Sequence, residues 1–431
     1  MKAVVFHGIG DIRLDEVPDP KLQDDTDAVL RITTSAICGT DLHFVRGTMP
    51  GMKPGRIVGH EAVGVVEELG KGVRNFREGE RVVVGSTIGC GYCSYCRAGY
   101  FSKCDNANPM GKRAGAVFFG GPEESGGIDG LQAEKARIPF ANVTMVKLPD
   151  HVSDDQAILL SDIFPTGYFG AHLADIEAGN TVCVLGCGPV GQFAIASAKL
   201  MGAGRVLAVD CVPSRLEMAR LQGAEVVNFE QEDPVETVVE ITGGIGVDRV
   251  IDAVGIDAQH AHHGPAGKKA KKQSQEFEQE LETVAPKQHP QGDNWHPGDG
   301  PSQAIRWGVQ ILAKAGTHAI IGVYPKTAQF YPIGEAMGKN ITVKAGDCNH
   351  RRYLPRLVDL VASGAFDPAQ VLTQREPITD AIAAYEAFDR REAGWIKVEL
   401  EPRGKNVELG DTVNERAVTR RVVRGDRRAE A

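Results

Sequence analysis

The chain has 431 residues and a mass of 46.2 kDa. That is room for two or three domains and a substantial core. With 48 Lys and Arg against 57 Asp and Glu, the formal charge is −9, which excludes a broad basic face for nucleic-acid phosphates. Nine cysteines in a chain this long are too sparse for a disulfide scaffold and predict a reducing, cytoplasmic setting. No signal peptide is predicted, because only Ala3 to Phe6 are apolar before His7. The most apolar stretch, from Val182 to Ala198, is interrupted by Gly186, Gly188, Pro189, Gly191 and Gln192, so it reads as strand, turn and helix rather than a membrane span.

From residue 1 to about 165, short β-rich runs such as AVVF, AVLRITTSAIC, EAVGVVEEL and ERVVVGS alternate with Gly and Pro. They predict a twisted, barrel-like β domain. Within it, Cys90, Cys93, Cys96 and Cys104 stand at C-x2-C-x2-C-x7-C on a glycine-rich loop. Four thiolates so spaced can close a tetrahedron around one Zn²⁺ and leave no open position, which makes this a structural zinc rather than a catalytic one. Free or disulfide-bonded thiols are the alternative. A second, dispersed set comprises Cys38 in SAICGTDLH, His60 and Glu61 in VGHEAVG, and Asp162 in LLSDIFPTGY. A thiolate, an imidazole and a carboxylate suit a zinc that keeps a fourth position for substrate. The residues alone leave Cys38 and His60 equally readable as core positions.

From about Thr181 the texture changes. Apolar runs at 181–186, 205–210, 225–229, 247–254, 317–323 and 341–346 alternate with helical periodicity, predicting a doubly wound parallel sheet. The first run leads into GCGPVG, where Gly186 permits a tight turn, Gly188 lets amides reach a pyrophosphate, and Gly191 lets helix pack on strand. Pro189 and Val190 complete the loop. The next strand ends in Asp210, nineteen residues after Gly191, which would take ribose hydroxyls and repel a 2′-phosphate, favouring NAD over NADP. Arg215 nearby complicates that preference. The stretch 256–303 breaks the rhythm with Lys, Gln, Glu, His, Gly and Pro, and reads as a solvated surface loop in preference to an ordered lid. Phe277, Leu281 and Val284 in it recur at helical spacing. Residues 403–431, with seven Arg and little apolar periodicity, predict a disordered tail. Cys183, Cys187, Cys211 and Cys348 read as small buried or cofactor-adjacent residues.

Taken together, CGTDLH, GHEAVGVVEELG, the four-cysteine lobe, SDIFPTGY and GCGPVG make the sequence resemble the zinc-dependent medium-chain alcohol dehydrogenases over about residues 1–402. Within them it is most similar to the glutathione-independent formaldehyde dehydrogenase branch, which carries Asp at the position of Asp162 and extra sequence after DAVG. The resemblance implies an α/β architecture: a GroES-like catalytic domain (1–165 and 347–402, zinc lobe about 89–105) and a Rossmann domain (166–346, insertion 256–303). It implies NAD and two Zn²⁺ per subunit, with Cys38, His60 and Asp162 holding the catalytic ion and Glu61 behind it. Asp41 would orient His60, Thr40 would bond the substrate oxygen, and His43 would continue a proton relay towards solvent. Thr166 and Val190 would press on the nicotinamide, and Asp252 to Gly255 (Val254 among them), Ile321 and Val323 would line the cofactor. A small alcohol or aldehyde substrate, aldehyde dismutation on a retained NAD, and a homodimer or homotetramer joined partly through the edge of the Rossmann sheet are implied as well. The alternatives are a polyol or amino-alcohol dehydrogenase and, more remotely, a non-catalytic nucleotide-binding protein. Phe44, Phe118, Phe119 and Trp295 are candidates for the pocket wall.

Overall fold

Six apolar runs too short to be buried alone align side by side in the computed structural model, which describes residues 1–112 and 114–402. The strands Thr181–Leu185, Arg205–Asp210, Glu225–Asn228, Val247–Asp252, Leu312–Ile320 and Thr342–Ala345 form one sheet, parallel throughout. In space their order is 225–228, 205–210, 181–185, 247–252, 312–320 and 342–345. The chain therefore starts in the middle, winds outward, and returns to continue on the other side. This reversal opens a crevice beyond the carboxyl ends of 181–185 and 247–252. The expected strand at 317–323 begins earlier, at Leu312, and ends at Ile320. Ile321 and Val323 thus fall in the loop over the crevice, as does Val254.

The remaining strands build the β-rich part. Ala28–Ile37 is central to a seven-stranded sheet, pairing with Ala62–Leu69, Lys135–Ile138 and the chain's last described strand, Val398–Glu401. Lys2–Gly8, Asp11–Glu16 and Arg56–Ile57 form a smaller sheet beside it. Closing the sheet with residues 398–401 brings this late strand, and Lys397 before it, against the segments that carry Cys38 and His60. This is the GroES-like fold, joined to a Rossmann sheet. The tail expected at 403–431 lies outside the described residues.

The insertion is not a solvated loop. Its polar composition hides two helices, Gly264–Ala270 and Ser274–Val284. Phe277 and Val284 are each 1% exposed, and Leu281 and Val284 pack beside Ile256, Tyr324 and Phe330. Beyond the helices the chain crosses to the β-rich part. There Gln291 Nε2 donates to the Gly10 carbonyl at 2.8 Å, and the Trp295 backbone amide donates to Asp389 Oδ2 at 2.7 Å. Phe44 and Trp295 pack in one core there and Phe119 in another, so these three do not wall the pocket; Phe118 does. All nine cysteines are free thiols, with Cys183, Cys187 and Cys348 buried and Cys211 half-buried.

His318, in the strand Leu312–Ile320, is fully buried with Nδ1 3.1 Å from the Tyr331 hydroxyl. Burial pushes its pKa down from 6.5 to about 4. The unfolded chain therefore takes up a proton between pH 6.5 and 4 that the folded chain refuses, so stability falls as pH drops through that window. His318→Leu should remove about one proton from the slope of unfolding free energy against pH over that range; the check is chemical denaturation at several pH values.

Candidate active site

Asp162 sits at the junction of the helices Asp154–Ser161 and Ile163–Leu173, with φ −140° and ψ −64°. The break turns its carboxylate into the crevice. Oδ1 accepts from the Ser86 hydroxyl at 2.9 Å and the Thr166 hydroxyl at 3.1 Å, and lies 2.8 Å from His350 Nε2. Oδ2 is left facing Cys38 Sγ at 3.7 Å and His60 Nε2 at 3.6 Å. Burial alone would raise this carboxyl's pKa, but His350 and His60 outweigh it and hold the group well below the usual carboxylate range.

The other two candidates are held as firmly. Cys38 precedes the helix Gly39–Arg46, and its amide donates to Asp41 Oδ2 at 3.0 Å. Asp41 Oδ1 lies 3.1 Å from His60 Nδ1, so one carboxylate braces both the Cys38 backbone and the His60 ring. Gln132 donates to Asp41 at 3.2 Å and accepts from the Tyr385 hydroxyl at 2.9 Å. With Nδ1 turned to Asp41, His60 presents Nε2 to the cluster, which is how metal-binding histidines are oriented. For Zn–S near 2.3 Å and Zn–O near 2.0 Å, a tetrahedral angle implies ligand separations of about 3.5 Å. The observed 3.6 and 3.7 Å fit a zinc held by Cys38, His60 and Asp162.

Behind the cluster, Glu61 forms a fully buried pair with Lys397, Oε1 to Nζ 2.6 Å, and Nζ also donates to the Ile37 carbonyl at 3.0 Å. Oε2 of Glu61 is an orphaned buried oxygen with no hydrogen-bond partner, and the Glu61 carboxylate comes within 4.8 Å of the Cys38, His60 and Asp162 donors. Such an atom fits a cation nearby. Burial lifts the Glu61 pKa to about 7 even against the pull of Lys397.

Along the helix Gly39–Arg46, Thr40 and His43 line the same crevice. His43 is only 5% exposed; its Nδ1 is 2.8 Å from Thr48 Oγ1 and 3.0 Å from Asp257 Oδ2. Arg46 reaches the same Asp257 oxygen at 2.7 Å and Asp389 at 2.8 Å. Asp257 comes from the nucleotide-binding side, one turn past the strand Val247–Asp252. His43 therefore abuts a carboxylate of the other half of the molecule and not open water.

The crevice continues over the glycine loop. Gly186 has φ +85°, and a Cβ there would meet Val254 at 2.5 Å; at Gly191 it would meet the Gly186 carbonyl oxygen at 1.9 Å. At Gly188, cap of the helix Pro189–Leu200, the nearest atom would be Arg215 at 3.9 Å, which leaves an open amide face with a cation beside it. Asp210 lines the crevice, and both its oxygens already accept backbone amides: Cys187 on Oδ2 at 2.7 Å, Cys211 and Val212 on Oδ1 at 2.7 and 2.8 Å. Arg391 is half-buried beside Asp210 and Arg215; desolvation and the two neighbouring arginines, Arg215 and Arg46, lower its pKa to about 10. Thr166, Val190, Val254, Ile321 and Val323 border the same space.

The four-cysteine lobe is compact. Its sulfurs lie within 4.8 Å of one another, and Cys90 Sγ accepts from the amides of Tyr92 and Cys93 at 3.4 and 3.3 Å and from Asn106 at 3.3 Å. Free thiols wrapped by amide donors are the form a closed thiolate zinc site requires. Sequence reasoning missed His350, Ser86, Lys397, Asp257 and Arg391. None belongs to a periodic or closely spaced pattern.

A thiolate–imidazole–carboxylate cluster at one end of a dinucleotide crevice defines a zinc-dependent oxidoreductase. Comparison with known proteins narrows the class. Residues 24–150 match the alcohol dehydrogenase GroES-like domain, and residues 189–262 match the zinc-binding dehydrogenase family. A zinc-type alcohol dehydrogenase-like protein of Bacillus subtilis, AdhB, is 37% identical over 93% of this chain and all of its own. An alcohol dehydrogenase of Cupriavidus necator is 33% identical over 93% of this chain and 99% of its own. The solved structure of alcohol dehydrogenase TADH from Thermus sp. ATN1 superposes with a TM-score of 0.73 at 33% identity, covering 93% of this chain and 99% of that one. The chain belongs to the zinc-dependent medium-chain alcohol dehydrogenases.

Removing Lys397 would strand Glu61 in the interior. Lys397→Met should cost roughly 3 kcal/mol, and the double variant Lys397→Met with Glu61→Leu should recover most of it. Urea denaturation of the metal-free chains checks both.

Proposed function

We propose that the protein is an NAD-dependent dehydrogenase that moves hydride between nicotinamide and a small alcohol or aldehyde hydrate, formaldehyde included. One observation carries this reading: the Cys38, His60 and Asp162 cluster opens on the same crevice that runs over the glycine loop to Asp210. When bound, zinc supplies Lewis acidity and the nicotinamide accepts the hydride. Thr40, two residues beyond Cys38, takes the hydroxyl proton of the substrate and His43 receives it in turn. Thr48 and Asp257 fix the His43 ring for that task. Thr166 and Val190 press the nicotinamide towards the substrate, and loop amides with Arg215 and Arg391 receive the pyrophosphate. Asp210 retains lone pairs for the adenosine ribose, and its charge disfavours a 2′-phosphate.

Phe118, edge-on to His60 at 6.3 Å, lies beside the metal cluster and Met49 lines the same crevice, apolar neighbours that suit a small alcohol. Formaldehyde is favoured by Asp162 as carboxylate ligand and by a glutathione-independent formaldehyde dehydrogenase of Pseudomonas aeruginosa, 38% identical over 61% of this chain and 68% of its own. Retention of NAD is supported by the ordered insertion, whose ends at Asp257 to Gln259 and Gln303 to Ala304 border the crevice. Assembly through the sheet edge is supported by exposed Val343, Ile333 and Met337 at or beside the strand Thr342–Ala345. Among the described residues no helix is long and apolar enough to cross a membrane.

The test is a substrate panel on exhaustively desalted protein, with nucleotide counted after denaturation. The expected result is oxidation of short primary alcohols with NAD well above NADP. With near-stoichiometric retained NAD(H), formaldehyde should also disproportionate to equal methanol and formate without added cofactor. Polyols turned over far better than short alcohols would overturn the substrate class; protein free of nucleotide and inert to formaldehyde would overturn the dismutase reading and leave the alcohol dehydrogenase.

A further inference from the structure

The insertion leaves the nucleotide-binding sheet and returns to it through a narrow neck. Residues 257–260 and 298–300 run against each other there: the Gly300 amide donates to the Ala258 carbonyl at 3.0 Å, and a Cβ on Gly298 would meet the Asp257 backbone at 2.3 Å. At the solvent side of this neck three metal-binding side chains converge. His260 Nε2 and His262 Nε2 lie 3.5 and 3.2 Å from the same oxygen, Asp299 Oδ2. The three donor atoms lie within 4.8 Å of one another. For Zn–N and Zn–O bonds of about 2.0–2.2 Å, a tetrahedral angle places neighbouring ligands about 3.3–3.5 Å apart. The observed separations match that edge.

The surroundings prepare these atoms as ligands. His260 Nδ1 is 3.0 Å from the Ala261 carbonyl, which can only accept, so Nδ1 carries the proton and Nε2 offers its lone pair to the cluster. The Phe277 ring stacks on the His260 ring at 5.6 Å and 12°. Asp299 Oδ1 accepts the His260 amide at 3.0 Å, leaving Oδ2 for the two rings. Glu230 accepts the amides of His262 and His263 at 2.9 and 2.8 Å and fixes the backbone that presents His262. Each ligand thus has its other polar atom, or its backbone, tied to something else.

We propose that His260, His262 and Asp299 bind a divalent transition metal of the zinc type, apart from the two zinc centres described above, and that the ion clamps the neck of the insertion. Two imidazoles and one carboxylate favour Zn²⁺ over the hard cations Mg²⁺ and Ca²⁺, which prefer all-oxygen sets. With His262 about half exposed, one coordination position faces water. The ion would join residue 260 to residue 299 across the whole insertion, next to Ala258 and Gln259, which border the cofactor crevice. The inference does not rest on the substrate reading.

The test uses the full chain equilibrated with zinc buffered at micromolar free concentration, beside His262→Ala and Asp299→Asn. Both altered side chains are partly exposed, so the fold should survive. Wild type should hold one zinc per chain more than either variant, and Mg²⁺ should not displace it. Zinc should also slow tryptic cleavage at Lys268 to Lys272 in wild type and not in His262→Ala. Equal zinc content in all three chains would overturn the site. An extra zinc that leaves the cleavage rate unchanged would overturn the clamp.

Discussion

A carboxylate removed from water must be satisfied on both oxygens, and the centre of this molecule is arranged around one whose second oxygen finds only a long thiol contact and an imidazole. Asp162 Oδ1 has Ser86, Thr166 and His350 around it, from three separate stretches of chain, while Oδ2 looks only at Cys38 and His60. That oxygen, the thiol and the imidazole form a donor set that a doubly charged ion would complete. The requirement reaches outward. Asp41 must brace His60, Gln132 and Tyr385 must hold Asp41, and the last strand must return to place Lys397 against Glu61.

The same logic joins the two halves. His43 and Arg46, on a helix of the β-rich part, share the carboxylate of Asp257 from the nucleotide-binding part, and Arg46 carries the contact on to Asp389. Asp389 also accepts the Trp295 amide from the insertion. One buried charged network therefore links the helix that carries Thr40 and His43, the turn that borders the cofactor, and the strap formed by residues 287–295. A movement of the turn at Asp257 would therefore move the partner of His43. The insertion is thereby a structural member of the molecule as well as a border of the crevice.

What was legible in the sequence follows how local each feature is. The cysteine lobe gathers its ligands within fifteen residues, and the glycine loop and Asp210 lie within one strand–helix–strand unit, so spacing alone exposes both. Cys38, His60 and Asp162 required the family resemblance, because they are dispersed over 125 residues and no periodicity links them. His350 and Lys397 escaped altogether: each reaches the site through a long-range contact, with Asp162 and with Glu61, that only the closed fold creates. The insertion misled by composition. Lys, Gln and Glu cover the outer faces of its helices, while the few apolar residues at helical spacing, Phe277, Leu281 and Val284, are those that pack inward. Phe44, Phe119 and Trp295 misled in the opposite sense, since large aromatic rings fill cores as readily as they wall pockets.

The most direct test of the central claim is the zinc content and turnover of Asp162→Ala beside wild type. If Asp162 is the third ligand of a working zinc, the variant should carry one zinc fewer per chain, keep the zinc of the cysteine lobe, and lose NAD-dependent alcohol oxidation by several orders of magnitude. Full zinc content with turnover close to that of wild type would contradict the site as described.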